Sequence, residues 1–547
     1  MTIAPTIYYP DELNGLLSEL DNSYLVGGCV RDSLLGLKPK DIDIEVYKMS
    51  YPDLQEFLGK YGKVDLVGKA FGVIKLTLPS GNTYDFSLAR KDSKIENGVG
   101  HKAFTITTDP NMTVEEGCAR RDLTINSLAY DPRQKRIIDP FGGLQDIRNR
   151  LLKHTSPQFT EDPLRVLRIM QFAARFNFDV HPDTVKLSAS IKDTCPTLPK
   201  ERIGEEWHKA LTKGVNIKKG LQFLVDSEWI EHFPEIAALK GCQQDKEDWH
   251  PEGDAFEHTG YCCNALATNP QWQQLEDRDR YTAMLGVLCH DLGKPATTKQ
   301  EFRPKLGRLV WVSPGHDKAG EAPTLSFLKQ IDASNEVVKQ VVPLVLHHMD
   351  HLQPHKDEQI RRLAVALKPS SIYKLGFITE ADHSGRPPLP AGQPVEMQKI
   401  INRSAELGCL NHPPVQILHG RHIEEWTILK PGKAYGVLCH AAYEAQLKGE
   451  FSELDGAQKW FAKNRGRILE NAKLAPERFI GGQELRNLYA KAGPELGNVH
   501  RDLMDMQLDG KLTSREQAIT YLQENAEKYK LTSESIATLK PVEQELA

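Results

Sequence analysis

Residues 24–47 read YLVGGCVRDSLLGLKPKDIDIEVY, and this stretch decides how the rest of the chain is read. Gly27 and Gly28 follow a short apolar run and precede a helical pattern, the arrangement that lets backbone N–H groups approach a triphosphate at a helix N-terminus. Arg31, one turn into that helix, can add a guanidinium to the same phosphates. Asp41 and Asp43 then alternate with Ile42 and Ile44 on what reads as a strand, so the two-residue period sends both carboxylates to one face. Two convergent carboxylates suit Mg²⁺, which phosphoryl transfer uses to position the attacking and leaving oxygens. A pair of glycines or an Asp-x-Asp alone is commonplace; their succession at this spacing carries the reading. Asp85 in TYDFSLAR is a candidate third carboxylate, although an exposed strand residue accounts for it equally well.

Working outward, residues 1–145 mix short β-rich runs (64–67, 73–78, 83–88 and 137–139) with helical ones, which predicts an α/β arrangement in the catalytic part. From Asp146 on, strand signals fade. Residues 162–233 read as successive amphipathic helices, one marked by Leu164, Val166, Leu167, Met170, Phe172 and Ala173. At 547 residues the chain exceeds what one core supports. A hydrophobic content of 40% with 26% charged residues describes a globular protein. No apolar run approaches the roughly 18 residues of a membrane span, and the N-terminus lacks the pattern of a signal peptide, so a cytoplasmic protein without a membrane partner is expected. Nine scattered cysteines without a CxxC pair read as reduced thiols, with Cys262 and Cys263 as helix packing residues. A net charge of −5 excludes a generally basic surface. Nucleic acid must then meet a local patch, and residues 146–220 supply one with 14 Lys/Arg against 9 Asp/Glu.

The run GGCVRDSLLG followed by DIDI resembles the signature of the polymerase-β-like class II tRNA nucleotidyltransferases and bacterial poly(A) polymerases. The resemblance continues in RRDLTINSLAYD (120–131), IDPFGGLQDIRNRLLKH (138–154) and EDPLRVLRIMQFAARF (161–176), and covers about the first 235 residues. It implies an α+β fold: a nucleotidyltransferase head with a mixed sheet, then all-α neck, histidine-rich and tail domains. It also implies template-independent addition of C and A to the 3′ end of tRNA from CTP and ATP, with Mg²⁺. Arg121 and Asp122 would contact the nucleotide, with Asn126 supporting them. Residues 92–117, with NGVGHKAF inside, would be the flexible loop used when the enzyme switches nucleotide.

Selection of C and A without a template follows from EDPLRVLR. Asp162 and Arg165, three apart on a helix, can present an acceptor beside a fork of donors. Cytosine and adenine each offer an amino donor next to a ring-nitrogen acceptor; guanine and uracil reverse that order. Discrimination of about 1 to 3 kcal/mol per bidentate contact follows. Arg168, one turn on, is placed for phosphates or for buttressing the pair. Taken alone, the octet reads better as a surface helix laced with ion pairs; the preceding motifs reverse that preference.

Between residues 249 and 386 the chain spells WHPEGDAFEHTGY, LCHDLGKP, GHDKAG, LHHMD and ADHSGR. His290 and Asp291 are adjacent at the end of an apolar helix and can share one cation, with His258 and Asp382 as completing ligands. The order resembles the HD phosphohydrolase superfamily, which implies a phosphomonoesterase or 2′,3′-cyclic phosphodiesterase. His316 and one of His347 or His348, with His347 taken first, are candidates for a second ion, and His250 for a supporting role. Imidazole and carboxylate ligands suit Mn²⁺, Ni²⁺, Mg²⁺ or Zn²⁺ without choosing among them.

The tail carries an internal repeat. Residues 417–460 recur as 479–521, with Gly420 matching Gly482, Gly436 Gly497, Gln446 Gln507, Gly449 Gly510 and Ala457 Ala518. The expected domains are a head (1–145), a neck for nucleotide selection and RNA binding (146–235), a histidine-rich metal domain (236–405) and a helical tail (406–547), with no obligate protein partner indicated. Three other functions fit less well. Poly(A) polymerases tend to carry a basic tail for RNA, whereas the tail here is mixed in charge. An enzyme adding only A or only CC is the nearer alternative, because the loop departs from its commonest form and loop identity decides the switch. A nucleotide-sensing or RNA-binding protein with a decayed site would not keep Asp41, Asp43, Arg121, Asp162 and Arg165 together.

Overall fold

The computed structural model describes residues 6–65, 72–94, 104–109, 111–353, 355–489 and 493–539, without the side chains of 90–94 and 104–108. It divides into two compact units, Met1–Leu352 with Tyr373–Gln398, and Gln353–Ile372 with Lys399–Ala547.

The first unit begins with nine strands: β1 (Ser23–Val26), β2 (Asp43–Val46), β3 (Lys63–Asp65), β4 (Val73–Thr77), β5 (Thr83–Leu88), β6 (Arg90–Lys94), β7 (Phe104–Thr108), β8 (Ala129–Asp131) and β9 (Arg136–Ile138). Seven form one mixed sheet in the order β3-β4-β5-β2-β1-β8-β9, while β6 and β7 pair separately. Only β2 and β5 run parallel, in a register that sets Asp43 opposite Asp85. Alternation does the folding work here: Ile44, Val46, Ile74, Leu76, Phe86 and Leu88 are buried and pack with Leu13, Leu16, Leu17, Leu54 and Leu58 from the flanking helices. That leaves Asp43, the first residue of β2, and Asp85, the third of β5, on the exposed side.

Helix Leu164–Phe176 follows and packs against Lys200–Lys213 and Ile217–Asp226. Further on, helices Ala255–Ala267, Asp277–Cys289, Asn335–His347 and the segment 373–384 of a later helix surround the histidines. The helical character expected beyond Asp146 is interrupted by a two-residue parallel pairing of Leu151–Leu152 with Asp179–Val180 and by an antiparallel hairpin, Lys299–Arg303 with Arg308–Val312. The hairpin was not anticipated. Its KQEFRPKLGRLVWV run has strand alternation and a Gly307 at φ +66 in the turn, a signal outvoted by the helical surroundings.

In the second unit the repeated tail segments fold alike. Short helix Gly420–Trp426, long helix Lys433–Lys448 and helix Leu454–Asn471 correspond to Gly482–Asn487, Pro494–Leu508 and Arg515–Glu524. Gln446 donates to the Val415 carbonyl at 2.8 Å and Gln507 to that of Glu477 at 2.7 Å, each tying the long helix to the start of its own repeat. Met504 and Leu508 of the second repeat lie in the first repeat's core with Leu438 and Phe461. Arg465, buried in that seam, pairs with Asp505 and Asp509.

Candidate functional sites

Gly27 has φ +69, and a Cβ there would stand 2.7 Å from Nη1 of Arg121. Glycine is therefore required twice over, by the backbone and by the guanidinium. Helix Gly28–Leu34 starts at once, as the GGCVRD pattern predicts. Strand β2 starts at Asp43, so Asp41 precedes the strand instead of lying on it. The carboxylates still converge: Asp41, Asp43 and Asp85 line one cavity of about 960 Å³ with Lys38, Lys40 and Lys75. Burial pushes the Asp43 carboxyl up, Arg121 pulls it down, and the neighbouring Asp85 and Asp41 push it up again, leaving it above its ordinary value. A carboxyl raised in this way by neighbouring carboxylates favours a cation beside it.

Glu45, which the sequence reading passed over, is 1% exposed and holds both guanidiniums of the RRD motif, Arg120 and Arg121, the latter at 3.2 Å. Burial raises its carboxyl, but Arg121 and Arg120 outweigh that and leave it below its ordinary value. A polar residue among DIDIEV's isoleucines was the available signal.

Arg31 is not presented to solvent. Its guanidinium is buried over the Phe172 and Phe176 rings and donates to Asn126 Oδ1 at 2.6 Å. Asn126 donates to Asp122 at 2.9 Å, and Arg168 donates to Asp122 at 2.8 Å. Four residues singled out in three separate motifs thus form one chain of hydrogen bonds linking head and neck helix. Burial raises the Asp122 carboxyl, but Arg168 and Asn126 bring it down to about 2. The segment TINSLAY is a short 3₁₀ turn, Thr124–Asn126, followed by β8, not a helix.

The helix carrying Arg165 begins at Leu164, because Pro163 lacks an N–H and starts a helix well. Asp162 therefore lies before the helix in extended backbone, its carboxylate accepting from the Leu164 N–H at 3.1 Å and facing Arg202 at 3.5 Å. Arg165 donates to the carbonyls of Gln158 and Arg120 at 2.7 and 2.8 Å. The expected mutual pair on one helix is thus replaced by two groups held separately, Asp162 by Leu164 and Arg202 and Arg165 by the Gln158 and Arg120 carbonyls. The loop segment NGVGHKAF lies, apart from Phe104, outside the described residues.

The histidine cluster is more deeply buried. His258 Nε2 stands 3.1 Å from Asp382 Oδ1 and 3.7 Å from Asp291 Oδ2; His290 Nε2 is 3.3 Å from Asp291 Oδ2, and His316 Nε2 is 3.4 Å from Asp291 Oδ1. The fourth imidazole is His348, whose Nε2 is 3.1 Å from that of His316. His347 is excluded: one residue earlier on the helix it turns away, and its Nδ1 meets Asp350 at 2.7 Å. His290, His316 and His348 each direct Nδ1 at a backbone carbonyl, of Val287, Ser313 and Val345 at 2.6, 2.8 and 2.6 Å. That bond places the ring hydrogen on Nδ1 and turns the Nε2 lone pair inward, as metal-ligating histidines require. His258 instead leans its Nδ1 on Glu252 at 2.7 Å, which also binds His250 at 2.8 Å, so His250 supports the cluster from behind. Cys262 does more than pack: its Sγ is 3.4 Å from His258 Nε2.

Two observations test whether a metal fits. His290 Nε2 is buried with no hydrogen-bond partner, and two donor groups, His258–Cys262–His290–Asp382 and Asp291–His316–His348, each bring their atoms within 4.8 Å of one another. Burial lowers the His316 and His348 imidazoles, the latter to about 3, so both are neutral at pH 7 and able to ligate. Burial raises the Asp291 carboxyl, but His290 and Lys294 hold it well below its ordinary range. The donor set fits divalent cations.

The mixed sheet and its acidic cavity define a nucleotidyltransferase head. Residues 23–153 match the family described as the Poly A polymerase head domain. A multifunctional CCA protein from Vibrio cholerae is 35% identical over 418 residues, covering 74% of this chain and 96% of its own, and one from Xylella fastidiosa is 33% identical over 378 residues, covering 66% and 84%. The Bacillus stearothermophilus CCA-adding enzyme in complex with CTP superposes with a TM-score of 0.57 at 21% identity over 85% of this chain and all of its own. The Thermotoga maritima enzyme complexed with tRNA gives 0.53 at 17%, over 85% and 97%. The chain belongs to the family of multifunctional CCA proteins. Among the described residues no helix is long and apolar enough to cross a membrane.

Proposed function

We propose that the head and neck add C and A to the 3′ end of tRNA from CTP and ATP. The observation that carries this reading is the convergence of Asp41, Asp43 and Asp85 on one cavity, with Arg121, which packs on the Gly27 turn, near enough to lower the Asp43 carboxyl. Mg²⁺ held by Asp41 and Asp43 would supply charge neutralisation for phosphoryl transfer, with Asp85 as the third carboxylate. The amides at the start of helix Gly28–Leu34 and the Arg121 guanidinium bind the triphosphate, and Glu45 holds that guanidinium in place. Arg31, Asn126, Asp122 and Arg168 fix the head against the neck helix, with Asp122 and Asn126 beside the nucleotide.

Asp162 and Arg165 select C and A by the complementarity of an acceptor beside donors. The bonds of Arg165 to two carbonyls fix the plane of its guanidinium. Replacing both with Ala should admit UTP or GTP; unchanged nucleotide choice would make them purely structural. The main test offers tRNA lacking CCA, ending in C or ending in CC, with CTP, ATP or both. Full extension supports CCA addition, arrest after CC or a need for CC-ended tRNA points to a partial enzyme, and long A tails to a poly(A) polymerase.

We also infer that the histidine cluster is a metal-dependent phosphohydrolase site of the HD type. His258, His290, Asp291 and Asp382, with His316 and His348, would hold the divalent metal, which when bound polarises a phosphate and acidifies a water. Lys294, 2.6 Å from Asp291, orients that carboxylate. The support is the inward set of Nε2 atoms. A phosphatase and 2′,3′-cyclic phosphodiesterase assay with Mn²⁺, Ni²⁺, Mg²⁺ or Zn²⁺ tests it, and no hydrolysis with any of them would reduce the cluster to a scaffold.

A further inference from the structure

The cavity above the histidine cluster, about 680 Å³, has a floor and a rim of different chemistry. Asp291, His316 and Asp382 lie at the floor, while Arg303, Arg386, Trp249 and Trp311 belong to the walls. Trp249 is 46% exposed. An indole left half in water is a cost to a folded chain unless something covers it, and Leu352 and Val395, more exposed still, line the same cavity.

The walls bearing the tryptophans are built to stay in place. Trp311 comes from the hairpin, which contributes Arg303 and Glu301 as well. Trp249 sits on the turn that follows Asp245, where the amides of Trp249 and His250 both donate to the Asp245 carbonyl, at 3.3 and 2.8 Å. Arg308 of the hairpin clamps this turn. Its guanidinium meets Asp245 at 2.7 and 3.0 Å, Asp248 at 2.6 Å and Glu247 at 3.0 Å. One arginine thus joins the two tryptophan-bearing walls at a fixed separation.

A bare phosphate needs ligands and a cation but no aromatic rim, and it would not fill a cavity of this size. Indoles and guanidiniums on the walls of one cavity are a combination that binds a flat nucleobase by stacking and cation–π contact, leaving the floor to the phosphate. We propose that Trp249 and Trp311 form a base-binding platform, so that the cavity takes a phosphate-bearing terminal nucleotide with its base on the indoles and its phosphate toward Asp291 and Asp382. This proposal rests on the phosphohydrolase reading of the floor but concerns different residues. The chemistry is shared by a free nucleoside phosphate and the end of an RNA chain.

The test compares the full-length protein with Trp249→Ala, Trp311→Ala and the double variant. Hydrolysis is measured on AMP, on a short RNA ending in a 3′-phosphate, and on ribose 5-phosphate, which has no base. Separately, AMP and ribose 5-phosphate binding is measured calorimetrically after chelation of metal, as the difference between wild type and variants, which cancels binding elsewhere. CMP incorporation serves as the control for folding. Each lost stacking contact should raise the KM for AMP or RNA about tenfold and leave kcat and the ribose 5-phosphate KM unchanged. AMP affinity should fall in parallel. A larger effect on RNA than on AMP identifies a chain end as the ligand, and the reverse a free nucleotide. Equal KM values for AMP and ribose 5-phosphate in all proteins would overturn the platform while leaving the phosphohydrolase intact. If the wild type hydrolyses none of them, the phosphohydrolase reading fails, and AMP binding that depends on the tryptophans still decides for or against the platform.

Discussion

Glu45 and Asp43 are two residues apart on β2 and answer to opposite demands. Asp43 sits among like charges and calls for a cation; Glu45 is satisfied by Arg120 and Arg121. Replacing Asp43 with Ala should abolish CMP incorporation without loss of fold, and near-normal incorporation would refute its role. Glu45→Gln instead strips two largely buried guanidiniums of their counter-charge. Breaking a buried pair costs about 3 to 5 kcal/mol, read as a lower urea midpoint, with a raised KM for CTP as Arg121 loses its seat. Asp122 makes a pH prediction. Its folded pKa of about 2 lies below the ordinary 3.8, so its contribution is present above pH 4 and is lost as pH falls through the folded value. The stability gap between wild type and Asp122→Asn should be about 2 kcal/mol at pH 6 and close as pH approaches 2. A gap that ignores pH would show that Asp122 is not held as an ion.

At the scale of elements, the turn Gly27–Gly28 and the start of helix Leu164–Phe176 show what could be read beforehand. Gly27→Ala should cost roughly 1 to 3 kcal/mol for its φ alone and reduce CMP incorporation further by displacing Arg121, a loss that Arg121→Lys should only partly share. The glycine turn, the helix after it and the carboxylates were legible because local chemistry dictates them. The position of Asp162 was not, because a spacing of three suits a helix, whereas Pro163 sets the helix start after Asp162. The choice between His347 and His348 needed the helix phase relative to the cluster, a tertiary fact that adjacent histidines conceal. Asp85 was ambiguous as a single strand residue and became informative only when the parallel register set it opposite Asp43. The hairpin at 299–312 was missed for want of partners in sequence, since a two-stranded ribbon is stabilised by what it packs on.

At the scale of the whole molecule, the two sites draw on separate ligands. His290→Ala with Asp291→Ala should remove hydrolysis of 2′,3′-cyclic AMP yet leave CCA addition intact, and a coordinate loss of both activities would refute their independence. The tail presents a different consequence. Because Met504 and Leu508 complete the core of the preceding repeat, the repeats are not beads on a string. A chain ending between residues 472 and 478 would leave the first repeat with an uncovered greasy flank, and should be recovered from cells as aggregate. Within the intact protein, Met504→Ala should cost about 2 to 5 kcal/mol. The amide protons of helix Lys433–Lys448 should then exchange faster, although no residue of that helix has changed. The two copies of one motif should therefore melt as a single unit, in which damage to the later copy is registered in the earlier one.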